Sequence, residues 1–212
     1  MNISSATGTE TTHDRRVAVW LLLCSAMIVA MVLLGGVTRL TGSGLSMVEW
    51  DPIFGIVPPL DETSWNKTFE LYKQSPEYQK INIGMDLAGF KNIYWFEFAH
   101  RLLGRAIGMV FLLPFLFFLV RGWVRRPLIP KLVTLFVLGG LQGLLGWYMV
   151  KSGLVDNPHV SQYRLTAHLG LAVLIYAWML HIAIGLWFGR ANAGAIPARL
   201  KHAISLLAGL IF

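Results

Sequence analysis

Glu97, His100, Arg101 and Arg105 stand at spacings i, i+3, i+4 and i+8, and a further histidine, His168, stands downstream; all lie in apolar stretches. On a helix the first four fall along one side. A charged residue deep in a membrane span costs at least about 2.5–3.5 kcal/mol on insertion scales, so it ordinarily faces a bundle interior and serves a function. Glu97 and Arg101 can form an i, i+4 ion pair, with Arg105 capped by backbone carbonyls. The set also suits chemistry. A carboxylate in a low-dielectric site can take up a proton or stabilise a developing cation. His100 lies roughly six residues into its apolar run and His168 roughly three, which at about 1.5 Å per residue puts both in the outer leaflet within a turn of each other. Two imidazoles on facing helices at matched depth can ligate one haem iron axially, and an arginine beside a haem can hold a propionate. The structural alternative is two separate histidines hydrogen-bonded to neighbouring helices. The matched depth favours a shared cofactor.

Such residues need membrane helices to hold them, and the composition supplies these. Of 212 residues, 55% are hydrophobic and 14% charged, and the mean hydropathy is +0.58. Ordinary soluble domains carry roughly 25% charge. A soluble globular enzyme, a disordered tail and a disulfide-rich secreted domain are excluded, and the one cysteine, Cys24, permits no intrachain disulfide. A span needs roughly 20 apolar residues. Four runs qualify: Val17 to Val37, Tyr94 to Val120, Leu132 to Val150 and Leu165 to Phe188. A fifth, from Ala203 to Phe212, is too short, so the chain reads as a fragment ending inside a helix. The first run is read as a span rather than a cleaved signal, because Arg39 precedes the small residues after it and the run is long enough to cross.

Basic residues set the orientation. Arg121, Arg125, Arg126 and Lys131 in one loop, and Arg190, Arg199 and Lys201 in another, stand in loops that contain no acid and mark the cytoplasmic side. Residues 38–92 hold five basic and seven acidic side chains and lie outside, as does the loop from Lys151 to Arg164. The net charge of +7 is therefore largely an orientation signal, and nucleic acid is not an expected partner. The expected organisation is all-α: a cytoplasmic N-terminal tail at 1–16, a four-helix transmembrane bundle at 17–188 with a long outer loop at 38–92, and a cytoplasmic loop with the start of a fifth helix at 189–212.

That outer segment is too long for a simple turn. Trp50, Pro52, Phe54, Pro58 and Pro59 suggest an ordered, turn-rich stretch. Trp65, Phe69 and Tyr72 form a helical stripe ended by Pro76, and Asp86 suits a cap for the second span. The stripe reads equally as an amphipathic helix on the outer interface or as a lid over a site between the helices.

An internal repeat is visible. Gly35-Gly36-Val37-Thr38-Arg39 leads to Ser43-Gly44-Leu45, and Gly143-Leu144-Leu145-Gly146 leads to Ser152-Gly153-Leu154. Each is followed by a helix with a histidine near its outer end, which suggests two related helix pairs in one bundle. Gly104/Gly108 and Gly139/Gly143 form GxxxG pairs, read as close helix packing or as flat surfaces for a porphyrin. Gln142 is polar within the third span and suits a bond across helices. His13, His159 and His202 fall in tail, loop and helix-start positions, and His181 lies roughly 20 Å further along the helix than His168, too far to share its site. No HExxH, CxxC or P-loop pattern occurs.

Several blocks resemble the haem A synthase family, in its proteobacterial and mitochondrial form. They are Val37-Thr38-Arg39-Leu40-Thr41-Gly42-Ser43-Gly44-Leu45-Ser46, Pro58-Pro59-Leu60, and Glu97-Phe98-Ala99-His100-Arg101-Leu102-Leu103-Gly104-Arg105. Leu141-Gln142-Gly143, the run from Gly146 to Leu154 and Tyr163-Arg164-Leu165-Thr166-Ala167-His168-Leu169 belong with them. The E-x-x-H-R block within a membrane helix is the most specific, and the resemblance runs from the first span through the fourth.

The resemblance implies an oxidoreductase of the bacterial inner membrane with eight helices in two similar halves. It would oxidise a methyl group of haem O to a formyl group, giving haem A for terminal oxidases. Glu97 would match the essential glutamate. His100 and His168 would match the amino-terminal histidine pair, ligating the haem iron of the haem O substrate, with Arg101 and Arg105 as further haem-binding residues. A haem b cofactor would sit in the carboxy-terminal half, of which this chain holds only the start. Implied partners are haem O, haem O synthase, membrane lipid and a second copy of the chain. The cysteine pair of some Gram-positive members is absent, which puts a thiol role in doubt. The rival readings are a bis-histidine, cytochrome b-like electron carrier and an assembly protein whose histidines only pack.

Overall fold

The structure is a computed structural model and describes residues 3–49, 55–155, 158 and 160–189. Trp50, Pro52, Phe54, His159, His202 and the expected fifth helix lie outside the described residues. Among the described residues six α-helices follow in chain order: α1 (Ile3–Leu40), α2 (Glu62–Lys73), α3 (Pro76–Lys80), α4 (Leu87–Val120), α5 (Ile129–Gly153) and α6 (Gln162–Phe188). Four stretches are long and apolar enough to cross a membrane: Thr12–Leu40, Leu87–Val120, Arg126–Gly153 and Gln162–Phe188. This is the all-helical, multi-pass arrangement expected.

The spanning helices begin before the apolar runs do, and at α4 a cap sets the start. Asp86 accepts a hydrogen bond from the Gly89 amide at 2.8 Å, which starts α4 seven residues ahead of Tyr94. Residues 12–16, expected as part of a tail, continue α1. Two helix ends need a left-handed residue. Gly42 (φ 64°) and Gly122 (φ 67°) supply it, and in each case the next amide bonds a carbonyl five residues back, Ser43 to Thr38 and Trp123 to Phe118, both at 2.9 Å.

α1 and α5 each pack against both α4 and α6. The two histidine-bearing helices, α4 and α6, therefore lie on one diagonal of the bundle and α1 and α5 on the other. The half of the bundle away from α2 is filled by Trp20, Cys24, Phe111, Phe115, Leu132 and Met179, among others. Pro114 has no amide hydrogen for the carbonyl of Val110, four residues back. The Trp20 indole donates to that carbonyl at 2.8 Å and ties α1 to α4. An apolar medium offers no other donor, so the bond matters more than one at a wet surface.

The N-terminal end of α1 and the loop after α4 meet at one end of the bundle. Arg125 pairs with Asp14, His13 stacks on Trp123 at 4.8 Å, and Arg16 lies over the same indole. At the other end, Trp65, Phe69 and Tyr72 of α2 are buried against Phe90, Tyr94 and Phe98 of α4. The stripe thus packs on protein and is not turned towards lipid headgroups. Pro76 opens α3 with Ser75 as its cap. Beneath α3 the Tyr72 hydroxyl donates to Glu77 at 3.1 Å and accepts from Asn82 at 2.8 Å. Burial pushes the Glu77 carboxyl up to about 7.

Candidate functional site

Glu97 is 3% exposed and sits where α4 meets the segment following α1. One carboxylate oxygen accepts from the Ser46 hydroxyl and the Met47 amide, both at 2.7 Å. The other accepts from Arg101, at 3.0 Å from Nε and 2.5 Å from Nη2. Arg101 also donates to the carbonyls of Met47 (2.9 Å) and Glu49 (3.2 Å). The expected i, i+4 pair is present, and it holds residues 46–49 down on α4. Sequence reasoning did not single out this role for Ser46 and Met47. The run of small polar residues after Gly42 was the available signal, but the amide that bonds Glu97 carries no residue-type signature.

His100 and His168 occupy corresponding places on the diagonal helices. Each ring edge lies against a glycine of the preceding long helix. A Cβ on Gly35 of α1 would come within 3.0 Å of His100 Cε1, and one on Gly146 of α5 within 3.0 Å of His168 Cε1. Each imidazole has a buried Nδ1 with no hydrogen-bond partner among the described residues. The packed core lies towards the other end of the bundle, in contacts made by α1 residues 17–28, Phe111 and Phe115 of α4, and Ile175, Met179 and Ile182 of α6. Two half-buried imidazoles above a closed core, each with a ring nitrogen free of competing bonds, suit a group that accepts axial nitrogen ligands. That donor set fits a haem.

Arg101 and Arg105 line a cleft of about 440 Å³ with Met47, Pro58, Thr68 and Tyr94. Arg101 also faces a second cleft, of about 460 Å³, with Trp147 and Lys151 of α5. Three cationic side chains therefore border space at the end of the bundle where α2 packs and can meet carboxylates there. On α4, Glu97 and Arg101 form the latch, Arg101 and Arg105 also line the first cleft, and His100 stands apart from both.

Gln142 bridges helices as expected, donating to the His168 carbonyl at 2.9 Å. Gly104 would meet only the tip of Met31, whereas Gly108, Gly139 and Gly143 face open space, so the GxxxG pairs do not form close contacts among the described residues. His181 is exposed and takes no part. The repeat is physical: a Cβ on Gly153 would meet Leu45 at 2.9 Å, so the two Ser-Gly-Leu segments pack on each other. The glycine seats obey a different register. Gly35 matches Gly146, two residues off the alignment of Ser43 with Ser152, because the turn after α1 begins before Ser43 while Ser152 is still helical.

A family model described as cytochrome oxidase assembly protein matches residues 18–212. The chain is 61% identical over 203 residues to the haem A synthase of Nitrosospira multiformis, covering 94% of this chain and 56% of the relative. It is 61% identical over 170 residues to that of Paramagnetospirillum magneticum (80% and 48%), and 52% identical over 205 residues to that of Nitrosomonas eutropha (95% and 58%). The chain thus spans about half the length of these relatives. No solved structure matches it significantly.

Proposed function

Since the chain belongs to the cytochrome oxidase assembly protein family, we propose that it forms the haem O-binding half of a haem A synthase. In this reading the whole protein oxidises a methyl group of haem O to a formyl group for use by terminal oxidases. The observation that carries this most is the pair His100 and His168 on diagonal helices, each with an orphaned buried ring nitrogen and each seated on a glycine. The names of the relatives point the same way.

The substrate's iron supplies the redox-active centre when bound. The chain's own residues do the rest. His100 and His168 would hold the iron through their ring nitrogens and so set the height of the porphyrin in the bundle. Arg101, Arg105 and Lys151 meet the propionates at the outer clefts. Glu97 is the proposed catalytic carboxylate. It is held by four hydrogen bonds in a water-excluded position, so its charge is pre-oriented to stabilise positive charge that develops on the methyl carbon. The aromatic layer of α2 and α4 keeps water from this level.

A haem b cofactor, by the same reading, belongs to the remainder of the full-length protein, and haem O synthase hands over the substrate. The protein lies in the bacterial inner membrane, as a homo-oligomer, with its N-terminus in the cytoplasm. In support, Asp14 and His13 meet the basic loop after α4 at one end of the bundle. Turnover belongs to the full-length protein, and this chain alone is expected to be inactive. The test is pigment analysis by mass in cells that make the full-length protein and are supplied with haem O. Haem A should accumulate, and His100→Ala or His168→Ala should prevent it. Bound haem with haem O left unchanged would instead favour the bis-histidine electron carrier. Haem A made by this chain alone would refute the assignment of turnover to the full-length protein.

A further inference from the structure

We propose that Gly35 and Gly146 are positioning residues for the reaction: each presents bare backbone to the Cε1 edge of one histidine and so sets where its ring nitrogens stand. The inference rests on the reading that His100 and His168 ligate the substrate's iron.

The two contacts are made by different helices yet share the same closest atom, Cε1, at the same distance. A methyl group on Gly35 would stand 3.0 Å from His100 Cε1 and 3.5 Å from Nδ1. One on Gly146 would stand 3.0 Å from His168 Cε1 and 3.6 Å from Nε2. Carbon atoms pack best at about 3.5–4.0 Å, so either ring would have to give by a few tenths of an ångström. Metal–ligand distances hold to about ±0.2 Å, so such a retreat exceeds what an iron–imidazole bond absorbs. Neighbouring glycines lack this property. Gly36 and Gly140 meet nothing within 4 Å of a built Cβ. Glycine inside a helix also costs about 1 kcal/mol relative to alanine. At Gly35 and Gly146 the side chain would collide with a histidine, and that is a reason for accepting the cost there.

The test uses the full-length protein in detergent with haemin as the probe, followed by optical and electron paramagnetic resonance spectra of the bound iron. Gly35→Ala and Gly146→Ala should each weaken haemin binding by about tenfold or more and convert low-spin signal to high-spin, in line with other groups that orient metal ligands. Gly36→Ala and Gly140→Ala should leave both unchanged. In a His100→Ala background, adding Gly35→Ala should cause no further loss, because the methyl then meets no ring. Additive losses in that background would mean that the glycine serves helix packing, and would overturn the inference alone. If Gly35→Ala fails to fold, the Gly35→Ala/His100→Ala pair must fold, and its failure would overturn the inference equally. Haemin binding and spectra untouched by both His100→Ala and His168→Ala would overturn the ligation itself, and the inference with it.

Discussion

Replacing Glu97 by glutamine separates the two roles that converge on it. The carboxylate accepts four hydrogen bonds, two from residues 46–47 and two from Arg101. Glutamine offers one acceptor and one donor at the same volume. With its carbonyl turned to Arg101, its amide faces Ser46 and Met47. The Ser46 hydroxyl can rotate and accept, but the Met47 amide is left without a partner, at about 1–3 kcal/mol. The Arg101 side chain, 10% exposed, loses its counter-charge. Breaking a buried pair costs about 3–5 kcal/mol, and the Met47 and Glu49 carbonyls that remain hold this to the lower end. A total near 4 kcal/mol raises the open population of residues 46–49 by about a thousandfold.

The assay is alkylation of a cysteine at Val48, with Cys24 replaced by alanine, in the full-length protein. Glu97→Gln should react far faster than the parent. The Glu97→Gln/Arg101→Gln pair carries no buried charge and should recover the part of the slow rate lost to the unpaired guanidinium, while the bonds of Arg101 to the Met47 and Glu49 carbonyls stay lost. Haem A output should be lost in both variants while haem stays bound, because neither restores a negative charge beside the substrate. Output near wild type in the double variant would refute the catalytic role and leave Glu97 as an anchor. A parental alkylation rate in the single variant would refute the arithmetic of the latch.

Trp20→Phe should lower thermal stability by about 1–3 kcal/mol by orphaning the Val110 carbonyl, and adding Pro114→Ala, which restores the helical amide, should return most of it. Glu77 has a carboxyl raised from 4.5 to about 7, so its contribution to stability is complete below pH 4.5 and is lost as the pH rises to about 7. Melting of the outer layer should therefore occur at lower temperature at pH 8 than at pH 5, and Glu77→Gln should flatten that difference; an unchanged slope in the variant would count against it. Cysteines at Arg125 and Lys73 should label from opposite faces of the membrane, and labelling of both from one face would overturn the orientation.

Much of the architecture is local in origin and therefore legible in the residues alone. Span number follows from runs of apolar side chains, because a bilayer rewards length and hydrophobicity wherever the neighbours lie. The Asp86 cap and the α2 stripe are likewise short-range events, settled within a turn or two of chain. The pairing of Glu97 with Arg101 needs only helical periodicity. What joins distant parts of the chain was not legible. The diagonal arrangement of α4 and α6 depends on which helices share faces, and all four helices are apolar nearly all round, so the pattern names no partner. The Met47 amide on Glu97 is a backbone donor and leaves no mark in a side-chain pattern. The Trp20 bond to Val110 joins a donor and a carbonyl 90 residues apart. Gly35 and Gly146 look like any helix-packing glycines until the ring edges of His100 and His168 are seen against them. Proximity across the bundle is a property of the packed fold, and only the tertiary structure decides it.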